Sequence, residues 1–219
     1  MKSLLHNSVG ACALYVSLGL CLGIILPLAE AIATESLTVV RIEEDWELVV
    51  GTPDANSTAP QVTCFISPTQ DIDSLHAAFE LNHHSQAEFT PGGLQLQLWD
   101  DEILMSATSP LTESVLSSNG ETIRWTQAME LAAGGLTFEI TGGSSTTWGN
   151  FGGDSSLRAS FTTELTNLNG YSPTTSVQHS GIGYAANRVV TLSLKRVRVT
   201  LQDGAVLEDT TERVAHTTN

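Results

Sequence analysis

From residue 37 onwards, hydrophobic and β-branched residues alternate with polar residues along most of the chain. This period of two is the pattern of a strand with one buried face, and the 3.6-residue period of an amphipathic helix is almost absent. The pattern predicts ten strands, at residues 37–50, 61–67, 75–82, 93–99, 103–107, 122–131, 136–141, 157–165, 188–201 and 205–214.

Clusters of Gly, Pro, Ser and Asn separate these strands, and none of them reads as a linker between two domains. No repeat of fixed period is visible, which argues against a propeller or a solenoid. Short strands with regular turn signals predict an all-β fold, an antiparallel β-sandwich of about ten strands with a jelly-roll topology. We therefore expect residues 34–219 to form a single β-sandwich domain.

The first 33 residues have the features of a secretory signal peptide. Lys2 is the only charged residue among the first 29, and residues 9–28 are almost entirely apolar. Small-residue cleavage patterns follow, ending at Ala31 and Ala33. We expect cleavage near one of these residues, and a mature domain that is secreted or held in the cell envelope. The apolar stretch approaches the ~20 residues that span a bilayer, so an uncleaved anchor is the alternative and the one expected attachment to a membrane.

Cleavage would leave Cys64 as the one cysteine of the mature chain. A single cysteine cannot form an internal disulfide, so the domain has to rely on its hydrophobic core. Cys64 lies in an apolar run, which predicts a buried and unreactive thiol.

The charge balance is strongly acidic and excludes one class of function. The chain of 219 residues has 24 acidic and 9 basic residues, for a net charge of −15. Such a chain is poorly suited to neutralising phosphates, so we expect no nucleic-acid binding. The adjacent histidines His83 and His84 point to opposite faces of a strand, and no cofactor-binding loop is present, so we expect neither a metal site nor a cofactor there.

Two hairpins allow predictions of register. A two-residue turn at residues 203–204 would leave Arg196 without a partner and would form two ion pairs, Lys195 with Glu212 and Arg198 with Asp209. For the hairpin near residue 134, a turn at residues 134–135 places like charges opposite each other. A turn at residues 133–134 pairs apolar residues but requires a positive φ at Ala133. The two alternatives stay open, and a longer loop would resolve the conflict between them.

Three acidic residues on the first predicted strand, Glu43, Asp45 and Glu47, project from one face. This segment resembles the E-x-D-x-E signature of the laminarinase-type glycoside hydrolases, which are concanavalin-like jelly rolls. The resemblance implies Glu43 as the nucleophile, Glu47 as the general acid and Asp45 as the residue that tunes them. A Ca²⁺ site and a plain solvated strand face are the other interpretations of the same residues.

A glycine-rich segment at residues 142–153 and two later loops carry aromatic residues. Aromatic rings stack on sugars and polar side chains bond their hydroxyls, which makes this set a candidate carbohydrate-binding site: Trp148, Asn150, Phe151, Tyr171 and Tyr184. In the alternative, the rings of Trp148 and Phe151 turn inward and close one end of the sandwich.

Much of the mature chain resembles an uncharacterised group of exported bacterial all-β proteins, through residues 46–54, 146–153 and 185–188. That resemblance implies export and no particular activity. We therefore expect a non-catalytic exported domain with a binding or structural role at or outside the cell envelope, its partner a carbohydrate or another envelope protein. One alternative is a jelly-roll glycoside hydrolase that uses the three acids. Another is a pilus- or surface-layer-like assembly subunit, which would need an exposed strand edge or a retained N-terminal helix.

Overall fold

The computed structural model of the chain describes residues 37–51, 60–83, 93–108 and 115–218, which belong to one compact unit. The predicted signal segment and His84 lie outside these residues. Within them are thirteen strands and a single α-helix: β1 (Val39–Val50), β2 (Gln61–Ile66), β3 (Leu75–Asn82), β4 (Gly93–Asp100), β5 (Ile103–Thr108), β6 (Thr122–Ala132), β7 (Gly135–Ser145), β8 (Gly149–Phe151), β9 (Arg158–Phe161), α1 (Pro173–His179), β10 (Gly181–Tyr184), β11 (Val189–Leu201), β12 (Val206–Asp209) and β13 (Arg213–Thr217). No helix in this part of the chain is long and apolar enough to cross a bilayer.

The strands form two antiparallel sheets. The larger has the order β12-β11-β1-β6-β7-β8, with β13 also paired to β11 and β9 to β7. The smaller has the order β10-β2-β3-β4-β5. The predicted all-β antiparallel sandwich is confirmed, and the jelly-roll topology stays a prediction. Strand β1, which carries the three acids, lies in the middle of the larger sheet.

The core lies between the two sheets, because each strand alternates between an inner and an outer face. The inner face of β1 contributes fully buried residues such as Trp46, and the inner face of β2 contributes Cys64, whose thiol is buried and unpaired as predicted. The centroids of the Trp46 and Trp125 rings are 6.4 Å apart, and those of Trp125 and Phe79 are 5.5 Å apart. These rings link β1, β6 and β3 across the core, so the two sheets share one packed interior.

The observed elements differ from the prediction where the pattern is short. Strands β8 and β10 were not predicted, because each has only three or four residues and is rich in glycine. The last predicted strand is two strands, interrupted at Thr211, whose N–H bonds Oδ1 of Asp209 at 2.8 Å. Helix α1 lies in a predicted loop. Its start at Pro173 follows the preference of proline for the first helical turn.

The hairpin between β6 and β7 adopts the second of the two alternatives, with apolar pairs Leu131–Leu136 and Met129–Phe138. Only Gly134 of its two turn residues has a positive φ, of 84°, so Ala133 is not strained. Burial of the apolar pairs therefore determines this register, and the turn does not strain the backbone of a non-glycine residue.

The predicted register of the β11–β12 hairpin is wrong by one residue. Leu201 donates to the Ala205 carbonyl at 2.8 Å, so residues 202–204 form a three-residue loop with Gly204 at a φ of 87°. Arg198 consequently lies opposite Glu208 instead of Asp209. The predicted Lys195–Glu212 ion pair is present at 2.7 Å.

Candidate functional site

The three acids of β1 project from the outer face of the larger sheet, between the neighbouring strands β6 and β11. Arg41 and Arg198 lie 3.2 and 3.6 Å from the Glu43 carboxylate. The predicted isolation of Arg196 is wrong, because its guanidinium lies 2.6 Å from Asp45. Arg124 of β6 lies 2.6 Å from Glu47. Every one of the three carboxylates is thus ion-paired, so this face is a network of alternating charges.

These ion pairs bear on the interpretations of the acidic face. The side chains of Glu43, Asp45 and Glu47 are only 15%, 28% and 22% exposed, so the face is not plainly solvated. Basic side chains of β1, β6 and β11 therefore occupy the space around these carboxylates.

A depression of about 410 Å³ lies over this face, lined by Asp45, Glu47, Arg124, Thr126 and Lys195 among others. Neither Trp99 nor Trp148 lines it. Trp46 and Trp125 do, but both are buried in the core, so neither offers an exposed ring on which a sugar could stack. Among the residues that the structure describes, no group of three or more His, Cys, Asp and Glu residues is arranged to hold a metal ion.

Trp148 and Phe151 pack against the hydrophobic core between the sheets, as expected if their rings turn inward. Their ring centroids are 5.1 Å apart, and the Phe151 ring stacks on Phe79 of the core at 6.2 Å. The glycines of this segment permit the packing. A Cβ at Gly143 would collide with the Phe151 ring, and Gly152 has a φ of 73° and lies against the Ile140 carbonyl.

The five candidate carbohydrate-binding residues do not share one surface. Asn150 is exposed on β8, at one edge of the larger sheet. Tyr184 is 57% exposed on β10, at the edge of the smaller sheet that contacts β13. The Tyr171 side chain runs into the interior, where its hydroxyl bonds a buried carboxylate.

That carboxylate belongs to Glu44, which is fully buried between the sheets. Its oxygens accept hydrogen bonds from the Tyr171 hydroxyl at 2.7 Å, the Gln127 amide at 2.7 Å and the Trp46 indole at 2.9 Å. The Ser176 hydroxyl of α1 is a further partner. This cluster was not predicted from the sequence, although the alternation of β1 places Glu44 on the inner face with Trp46.

Burial governs the chemistry of this cluster. It raises the pKa of Glu44 above its ordinary value, against the lowering effect of the hydrogen bonds. Burial, with the nearby Glu44 charge, also raises the pKa of the Cys64 thiol and of the Tyr171 hydroxyl. Because the thiolate is the reactive form of cysteine, Cys64 is a poor nucleophile. The cluster therefore ties β1 and β6 to the segment that contains α1.

A different surface carries a row of aromatic and amide side chains, on the outer face of the smaller sheet. The ring of His76 lies between Phe65 and Trp99, with centroid distances of 5.5 and 6.4 Å. The Trp99 indole donates to Oε1 of Gln97 at 2.8 Å, and the Gln97 amide donates to Gln95 at 2.5 Å. We call these five residues the aromatic–amide row.

The surroundings of the aromatic–amide row are also suited to a ligand. A depression of about 260 Å³ adjoins Phe65, lined by Thr63, His179 and the glycines of β10. Burial lowers the pKa of His76, which keeps its ring neutral at pH 7. The row therefore offers half-buried ring surface beside amide groups that donate and accept hydrogen bonds.

No protein-family model matches the chain, and no curated protein sequence is significantly similar to it.

Proposed function

We propose that the protein is an exported, non-catalytic β-sandwich domain that binds a polysaccharide at or outside the cell envelope, through the aromatic–amide row. The single observation that supports this proposal is the row itself: three rings side by side across β2, β3 and β4, next to a chain of two glutamine amides. Sugar rings stack on aromatic faces, and amides bond their hydroxyl groups.

The contrast between the two outer faces supports the same choice of surface. On the larger sheet, the polar groups of the acidic face are engaged with one another in ion pairs. On the smaller sheet, the Trp99 indole and the amides of Gln97 and Gln95 are linked by hydrogen bonds between neutral groups. A neutral ligand rich in hydroxyl groups would compete there with neutral hydrogen bonds, whereas on the acidic face it would have to compete with stronger charge-assisted bonds.

Replacing Trp99 with alanine is expected to weaken polysaccharide binding at least tenfold, because the largest ring of the row is lost. Trp99→Phe keeps a ring at the position and should retain most of the binding. Affinity electrophoresis against a panel of soluble and insoluble polysaccharides measures both variants, and equal retention of the wild type and Trp99→Ala on every polysaccharide would contradict the proposal.

The same panel separates binding from hydrolysis. Glu43→Gln removes the residue that a laminarinase-type mechanism would use as its nucleophile. We expect the wild type to release no reducing sugar, with or without Ca²⁺, and Glu43→Gln to bind like the wild type. Release of sugar that disappears in Glu43→Gln would instead establish the hydrolase alternative.

Export predicts the first residue of the mature protein. Cleavage after Ala31 or Ala33 yields a chain that begins at Ile32 or Thr34. N-terminal sequencing of protein recovered from the envelope or the medium checks this expectation. A mature chain that still begins at Met1 would show that the apolar segment is retained, as the membrane-anchor alternative expects.

A further inference from the structure

Strand β5 is an unusual edge strand. It ends the order of the smaller sheet, and within the described residues only β4 pairs with it. Three consecutive large apolar residues are exposed on it: Ile103 at 64%, Leu104 at 46% and Met105 at 48%. Soluble proteins usually protect such an edge with lysine, proline or a bulge that turns it away, because its free N–H and C=O groups can pair with another strand. Strand β5 has no lysine and no proline, and its pairing with β4 shifts register by one residue at Met105.

We propose that β5 pairs with β5 of a second copy of this chain, in antiparallel orientation, and joins the two smaller sheets into one. The free backbone groups would pair across the two-fold axis, and the exposed apolar side chains would be partly buried against each other. With the axis at Met105, which then lies opposite Met105 of the other copy, Ile103 of each copy lies opposite Ala107 of the other, which is also exposed.

The distribution of charge selects both the partner and the orientation. Residues 103–108 carry no charge, whereas residues 100–102, just before them, are all acidic. Antiparallel pairing places the two acidic runs at opposite ends of the strand, about 20 Å apart for six residues. That separation exceeds the Debye length of about 8 Å at physiological salt. Parallel pairing would set the acidic runs side by side.

The other exposed apolar edge, β12, is a poorer partner for β5. Val206 and Leu207 are 49% and 52% exposed, but Glu208 and Asp209 follow them directly. Antiparallel pairing of β5 with β12 would bring these carboxylates against the acidic run at residues 100–102, and parallel pairing would bring Asp203 there. Like charges on facing positions destabilise strand pairing, so the self-pairing of β5 is favoured.

Sedimentation velocity of the exported protein over a range of concentrations tests the proposal. We expect a monomer–dimer equilibrium that shifts towards the dimer as NaCl rises from 20 to 300 mM, since salt screens the repulsion between two acidic chains. Met105→Lys should raise the dissociation constant at least tenfold, because it places a charge at the centre of the paired strands. Leu207→Lys is the matched control on β12 and should leave the equilibrium unchanged.

Hydrogen exchange gives a second measurement on the same samples. The amides of β5 that point away from β4 should become protected as the concentration rises, and this gain should be lost in Met105→Lys. Ile103→Lys serves instead if Met105→Lys melts at a lower temperature than the wild type. A monomer at every concentration and salt would overturn the proposal, as would a dimer that Leu207→Lys weakens as much as Met105→Lys.

Discussion

Replacing Glu44 with alanine is expected to lower the free energy of unfolding by at least about 3 kcal/mol. The substitution leaves the Trp46 indole, the Gln127 amide and the Tyr171 hydroxyl without their shared acceptor in the interior. Each buried donor that loses its partner costs about 1–3 kcal/mol. Urea unfolding followed by tryptophan fluorescence measures the change.

Two substitutions make matched controls for that experiment. Glu47→Ala removes a carboxylate of the same strand from the outer face, where an ion pair contributes at most about 1 kcal/mol. Glu44→Gln keeps an acceptor oxygen for Trp46 and Gln127, and it turns its amide towards the Tyr171 and Ser176 hydroxyls, which can accept. We expect Glu44→Gln to fall between wild type and Glu44→Ala. Equal stability of Glu44→Ala and Glu47→Ala would show that the buried cluster does not hold the sheets together.

The raised pKa of Glu44 also predicts how stability depends on pH. The folded protein holds the Glu44 proton more tightly than the unfolded chain, in which the carboxyl has its ordinary pKa of 4.5. The stabilisation from this group is complete below pH 4.5 and is lost as the pH rises through the raised pKa. The free energy of unfolding of the wild type, minus that of Glu44→Gln, should therefore fall with rising pH. A difference that rises over this range would mean a lowered pKa.

Replacing Trp148 with alanine is expected to cost about 3 kcal/mol of stability, the lower end of the range for a tryptophan taken from a core. The lower end applies because the ring is partly buried, in contact with Phe151 and the hydrophobic core. The exposed neighbour Asn150 provides the control, and Asn150→Ala should change stability by less than about 0.5 kcal/mol. Thermal unfolding of both variants measures the difference.

Gly152 provides an independent test of the same packing. Its φ of 73° and its contact with the Ile140 carbonyl leave no room for a side chain. Gly152→Ala should therefore destabilise the protein, whereas Gly153→Ala, with a φ of 79° but open space around it, should cost only the backbone strain. A Trp148→Ala protein that melts like the wild type would make this segment a candidate binding surface again.

The alternation of apolar and polar residues was sufficient to predict most of the strands. The prediction matches β3 at both ends, because its run is long and bounded by turn residues. It also places Cys64 on a buried face and offers the apolar register of the β6–β7 hairpin as one of two alternatives. These features depend on neighbours in sequence, whose geometry the two-residue period already determines.

The functional groups depended on which strands lie side by side, and only the tertiary structure decided that. The cation that binds Asp45 is 151 residues away on β11, and the Tyr171 hydroxyl that binds Glu44 is 127 residues away. The aromatic–amide row likewise joins Phe65, His76 and Trp99 from three strands. The two-residue period determines which face of the strand a side chain occupies, whereas sheet order and register determine its partners. Those are determined by core packing and loop geometry over the whole chain, as the one-residue shift at Gly204 illustrates.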